Sequence, residues 1–356
     1  MKKLADKISV RFLPEVCSLI PRNAHNRFMD SCSVRDAPDS ICQVCAWSVP
    51  SQPKYPTPPP LSSHVHENNK VTSVKPRMTS ENKQLTSQSL SEISHFEPGM
   101  QRLDMNHAIL HLWIAYPDDL LGEEAAQACL RLLSEDERAR WQAFKFDRHR
   151  REYLATHALV RNALSQHRAI PPESWSFQLN AYGKPAIEPE CGLRFNLSNS
   201  LSLVVCLIAE GVEVGVDVES LGRAGSIAEV GPRMFSPREL AQLEGLHDDQ
   251  RPGRCLRLWT LKEAYIKARG MGLALPLNEF SFVFDGDDRI HMEMDPSLGD
   301  KPENWRFCVV EYAGHCIATM VEGMSTPEVH LWESRPPFAA PQRLSLDGEI
   351  WFPRNY

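Results

Sequence analysis

Apolar and polar residues alternate over 108–116, AILHLWIAY, and this period of two predicts a strand. From 123 to 133 the spacing shifts to that of a helix. Ser134 followed by Glu137 is the S-x-x-E pattern of a capping box, which predicts a second helix starting there. Tyr153, His157, Val160 and Leu164 recur at helical spacing and predict a longer helix over about 148–166. Shorter apolar runs at 176–179, 193–197, 203–209 and 212–218 read as strands. The same logic repeats downstream. Ser236, Pro237 and Glu239 combine a capping box with proline at the first helical position, a helix follows around Trp259, and strands at 280–284 and 289–294 flank an Asp285-Gly286 turn. Segments 193–209 and 305–321 each read as strand, polar turn and strand, a faint echo between two halves. Helices and hairpins are segregated, so the expected fold class is α+β.

Residues 1–104 break this pattern. Six prolines crowd 50–60, and Ser, Thr, Asn, Gln and Lys follow with few large apolar residues. A chain of this composition buries too little surface to offset its ordering entropy. The region is expected to be a largely disordered extension, or translation starts at Met100 or Met105. At 42% hydrophobic and 24% charged, the 356 residues suffice for a sizeable core. Residues 1–100 hold 12 of the 39 basic and 9 of the 46 acidic side chains, which leaves the ordered remainder acidic. Such a body lacks the basic face that general nucleic-acid binding needs. No apolar run approaches ~20 residues, and Asp6, Lys7, Arg11 and Glu15 interrupt the start of the chain, so neither a membrane span nor a secretory leader is expected. The expected setting is cytoplasmic and the expected state a monomer. Ten cysteines are scattered, and the pair Cys42 and Cys45 has no second pair at finger-like spacing, which favours loose thiols over zinc.

Two segments carry candidate chemistry. GVDVES at 215–220 places Asp217 and Glu219 on one face of a strand, and LRLWTLKEAYIKARGMGL at 256–273 places Glu263 and Lys267 four apart on one face of a helix. Either alone is ordinary surface decoration. Here the acids are flanked by apolar residues, and Trp259, Ala264 and Ile266 give the helix an apolar face, so the two segments are expected to pack together. Three carboxylates and a lysine suit a hard cation and a phosphorylated substrate, because Mg²⁺ takes oxygen ligands shared between carboxylates and phosphates.

With YGKP at 182–185, FNLSNS at 195–200, GVDVE at 215–219 and WTLKEAYIK at 259–267, in that order, the chain from about 107 to 321 resembles the Sfp-type 4′-phosphopantetheinyl transferases. The resemblance implies a pseudo-twofold fold of two similar α+β lobes, 105–214 and 215–323, behind the extension 1–104 and ahead of a tail over 324–356. It implies transfer of the phosphopantetheine arm of coenzyme A to a serine of an apo acyl or peptidyl carrier protein, with release of 3′,5′-ADP. Asp217, Glu219 and Glu263 match the family's Mg²⁺-binding acids, and Lys267 matches the lysine on the coenzyme A pyrophosphate. Glu263, directly or through a metal-bound water, is the candidate base. Arg148 and Arg151, three apart at the start of a helix, suit the 3′-phosphate of coenzyme A, and Lys184 with Pro185 would lie near its adenine. Ser198 and Asn199 match the strand end that faces the coenzyme's phosphates. The family has histidine where this chain has Asn199, so a switchable cation is replaced by a neutral amide donor. A catalytically silent coenzyme A or carrier-protein binding module of the same fold is the alternative reading.

Overall fold

The computed structural model describes residues 109–200, 202–286, 289–323, 326–336, 341–344 and 350–351. The expectations for 1–104, Cys42 and Cys45 among them, lie outside these residues.

Strand β1 (Ile109–Ala115) is followed by helices α1 (Glu123–Leu130), α2 (Glu135–Ala143) and α3 (Asp147–Ser165). Next come a hairpin of β2 (Ser176–Leu179) and β3 (Pro185–Glu188) and a second of β4 (Leu193–Ser200) and β5 (Leu203–Glu210). The order then repeats. β6 (Val214–Ser220) leads to α4 (Ala224–Val230), α5 (Pro237–Glu244) and α6 (Arg251–Arg269). The hairpin of β7 (Phe280–Phe284) and β8 (Ile290–Met294) precedes that of β9 (Trp305–Tyr312) and β10 (His315–Glu322). Pairing repeats as well: β5 lies antiparallel between β4 and β1, and β10 lies antiparallel between β9 and β6. The α+β class is therefore built as two like halves, and the faint echo at 193–209 and 305–321 is the closing hairpin of each.

The segment after residue 324 supplies further strands. β11 (Glu328–Glu333) adds parallel to β1, β12 (Gln342–Leu344) pairs with β11, and β13 (Ile350–Trp351) pairs with β9. Each of the two main sheets thus gains an outer strand from it.

Three apolar clusters hold the halves. Leu112, Ile114, Val205 and Leu207 of the first sheet meet Val216, Val218, Val310 and Ile317 of the second in a shared core. The opposite faces are covered by helices, α3 over the first sheet and α6 over the second. Both capping boxes form, and in both the capping glutamate does a second job. Glu137 accepts two bonds from Arg161 of α3 at 2.8 and 2.9 Å, and Glu239 takes Lys262 of α6 at 2.8 Å. Each long helix is thereby fixed by a buried ion pair to the start of the helix before it. Among the described residues no helix is long and apolar enough to cross a membrane.

Candidate active site

Gly215 brings the two chemical segments together. A Cβ at this position of β6 would lie 2.0 Å from the Ala264 carbonyl oxygen and 2.5 Å from the Ala268 nitrogen, so only glycine lets α6 cross the strand backbone at this distance. From that crossing the side chains of α6 reach along β6. Lys267 Nζ lies 2.6 Å from Asp217 Oδ1, and Trp259 Nε1 donates to Glu219 Oε1 at 3.2 Å. Glu263, half-buried, sits on α6 one turn from each of these residues, on the helix face that carries both contacts. The expected meeting of the two segments occurs.

β4 completes the site from the other half. β4 and β6 run side by side in the same direction, and side chains of β4 bond to backbone amides along the buried edge of β6. Asn196 Oδ1 accepts from Val216 N at 2.8 Å, and Ser198 Oγ accepts from Val218 N at 3.2 Å. Ser198 Oγ also donates to Asp217 Oδ1 at 2.9 Å and accepts from Lys267 Nζ at 2.8 Å. The FNLS motif therefore supplies a polar rail at alternate positions of β4, joining the halves beside the acids. Asn196 escaped the sequence reading; its spacing of two from Ser198 was the available signal.

Electrostatics concentrate on the acid pair. Asp217 and Glu219 are 2% and 3% exposed. Burial first, and the charge of Asp217 second, push the Glu219 carboxyl up to about 7, against the opposing pull of Arg223 and Lys267. Arg223, four residues on, pairs with Glu219 Oε2. Asp217 Oδ2 is buried and has no hydrogen-bond partner. An orphaned carboxylate oxygen beside a second, crowded carboxylate is the donor chemistry a hard divalent cation takes. Among the described residues no three His, Cys, Asp or Glu side chains are gathered closely enough to hold a metal ion, and the two acids are paired with the chain's own cations.

The remaining predicted residues surround this centre. Asn199 Nδ2 donates to Glu152 Oε1 of α3 at 2.7 Å, so its amide is oriented by a carboxylate that the sequence reading did not anticipate. Arg148, exposed and on the same face of α3 as Glu152, lies over the Phe146 ring and donates to His149 at 3.3 Å. Arg151 lies 3.7 Å from Asp118, so the two guanidinium groups are held by different partners. The YGKP turn forms because Asn180 Oδ1 accepts from the backbone of Tyr182 and Lys184 at 2.8 and 2.9 Å while Gly183 adopts a φ of +89°. Lys184 Nζ does not point into solvent. It lies 2.7 Å from Glu213 and donates to the carbonyls of Ala268 at 2.8 Å and Val214 at 3.3 Å, pinning the turn to the end of α6 and the start of β6. Burial draws its pKa down. Beside it a cavity of about 660 Å³ is lined by Pro185, Phe195, Arg269, Asp300 and Trp305. From Glu213, at the rim of this cavity, four strand residues span about 13 Å to Asp217.

The buried acid pair, the lysine beside it and most of the helix and strands that hold them fall within the stretch that known proteins match. A profile of the 4′-phosphopantetheinyl transferase superfamily matches residues 213–320. The chain is 36% identical over 217 residues to the 4′-phosphopantetheinyl transferase HetI of Nostoc, covering 59% of this chain and 86% of that protein. It is 30% identical over 184 residues to the 4′-phosphopantetheinyl transferase Sfp of Bacillus subtilis, covering 51% and 80% respectively. Similarity to the transferase AcpT of Escherichia coli is 36% over 121 residues, covering 34% and 58%. This chain belongs to the 4′-phosphopantetheinyl transferase superfamily and is an enzyme of that type.

Proposed function

We propose that this chain moves the 4′-phosphopantetheine arm of coenzyme A onto a serine hydroxyl of an apo acyl or peptidyl carrier protein, with Mg²⁺, releasing 3′,5′-ADP. The observation that carries the proposal is the buried Asp217, one oxygen shared by Lys267 and Ser198 and the other without a partner, facing the helix that bears Glu263. Asp217, Glu219 and Glu263 would hold the cation, which when bound neutralises charge on the coenzyme's pyrophosphate. Lys267 sits where it can stabilise negative charge gathering on the departing ADP phosphate. Glu263, on the same helix face, takes the serine proton, directly or through a metal-bound water. Ser198 and Asn199 frame the phosphates, Arg148 and Arg151 at the start of α3 meet the 3′-phosphate, and Lys184 with Pro185 borders the adenine end beside the cavity. Intact-protein mass spectrometry with coenzyme A, Mg²⁺ and several apo carriers tests this reading. A mass gain of one phosphopantetheine on at least one carrier is expected, and no gain on any would favour the silent binding module.

The raised Glu219 carboxyl gives a pH dependence with a defined sign. The fold holds this proton more tightly than the unfolded chain does, whose glutamates titrate at ~4.3. The group therefore adds stability below that value and loses its contribution as pH rises through about 7. Above 7 Glu219 is charged and a cation offsets that charge, whereas below 7 a proton must leave it first. Mg²⁺ is thus expected to raise the melting temperature more at pH 8 than at pH 6. Equal shifts at both pH values would remove Glu219 from the cation site.

A further inference from the structure

Both oxygens of Glu219 are engaged in the free protein. Trp259 Nε1 holds Oε1, and the Arg223 guanidinium holds Oε2. The guanidinium comes from the turn between β6 and α4, whose backbone is firmly placed. Leu221 N donates to Gly314 O at 2.9 Å, Gly222 N to Ser220 Oγ at 3.3 Å, and Ser226 Oγ to the Arg223 carbonyl at 2.9 Å. Behind the turn, Ile227 of α4 is buried in the core under α6. The side chain itself is a quarter exposed, while its carboxylate partner is nearly sealed. Arg223 can therefore leave Glu219 by side-chain rotation alone and return to the same place.

We infer that Arg223 is a resident counter-ion for the acid pair, which a divalent cation must displace from Glu219, so that Arg223 sets how tightly the site takes metal. This rests on the proposed cation site at Asp217 and Glu219. The charge logic is simple. Two neighbouring carboxylates in a buried site repel each other, and the Arg223 guanidinium, donating to Glu219 Oε2, supplies an opposing charge and a directed bond. Lys267 does the same for Asp217 but is itself 8% exposed and locked by Ser198, so it has little room to move. Of the two internal cations, Arg223 is the one able to yield.

The test is a titration of the full chain with Mn²⁺ alone, reading free Mn²⁺ by electron paramagnetic resonance at pH 8, in the parent and in Arg223→Gln and Arg223→Lys. Loss of one charge-assisted pair to a partly exposed arginine should tighten Mn²⁺ binding by about tenfold in Arg223→Gln. Arg223→Lys, which keeps the charge but not the guanidinium's directed bond, should fall between, and it carries the test if the glutamine variant does not fold. Asp217→Asn should bind Mn²⁺ more weakly than the parent. Unchanged or weaker binding in both Arg223 variants, with the parent binding Mn²⁺, overturns the counter-ion role and leaves the transferase reading standing. Absence of Mn²⁺ binding by the parent, with or without coenzyme A, removes the cation site and this inference with it.

Discussion

Asp217→Asn is expected to slow transfer to a carrier protein by ~10²–10³, the loss typical of removing one electrostatic contact made to developing charge. Asparagine keeps the shape and one oxygen for Lys267 and Ser198, but it offers a cation a neutral ligand in place of a charged one. The choice of asparagine matters. Asp217→Ala would leave Lys267, 8% exposed, without its carboxylate, and stripping one partner from a buried ion pair costs ~3–5 kcal/mol. Alanine would thus confuse a folding defect with a chemical one. Single-turnover transfer, measured beside a melting curve at each of several Mg²⁺ concentrations, separates the two. Near-parental turnover by Asp217→Asn at low Mg²⁺ would show that the cation does not use this residue.

Gly215→Ala is expected to have the largest effect on the fold itself. The added methyl would lie 2.0 Å from the Ala264 carbonyl oxygen, 2.5 Å from the Ala268 nitrogen and 2.9 Å from the Ala268 Cα, all backbone atoms of α6. A crowding side chain can rotate away, but a helix backbone cannot. Ordinary overpacking costs ~1–3 kcal/mol, and this contact should reach or pass the top of that range. Any relaxed structure must lift α6 from β6, which also parts Lys267 from Asp217. The paired control is Gly253→Ala, because a Cβ at Gly253 of the same helix meets nothing within 4 Å. That change should be neutral or stabilising by up to ~1 kcal/mol. Comparable melting of Gly215→Ala and Gly253→Ala would mean that β6 and α6 do not depend on this close crossing.

Local patterns were legible where the physics is local. The capping boxes at Ser134 and Ser236 announced α2 and α5 to the residue, and β2 and β7 fall where the apolar runs lie. The acids of β6 and the lysine of α6 declared themselves through apolar flanks, and they do meet. What the sequence concealed is long-range pairing. β11 reaches β1 across more than two hundred residues, and nothing in EVHLWE names its partner. Glu152 was no candidate in the sequence, and only the fold brings Asn199 to it. Lys184 read as a turn lysine near the adenine, and only the neighbouring ends of β6 and α6 turn it into a half-buried pin. Arg223 follows Glu219 by four residues, yet its role depends on a turn whose direction the sequence does not specify.

The like construction of the two halves has a consequence for stoichiometry. In the second half the fourth residue of β10, Ala318, lies opposite Asp217, and the second, Cys316, lies opposite Glu219. In the first half the fourth residue of β5, Cys206, lies opposite Trp113, and the second, Val204, lies opposite Ala115. The places that hold carboxylates in one half hold apolar side chains in the other, and Trp113 there stacks on Trp332 of β11 with ring centroids 5.5 Å apart. Among the described residues only one of the two like frames carries the acid pair, so on the proposed reading each chain should saturate with one cation and charge one carrier at a time, the other half serving as its wall.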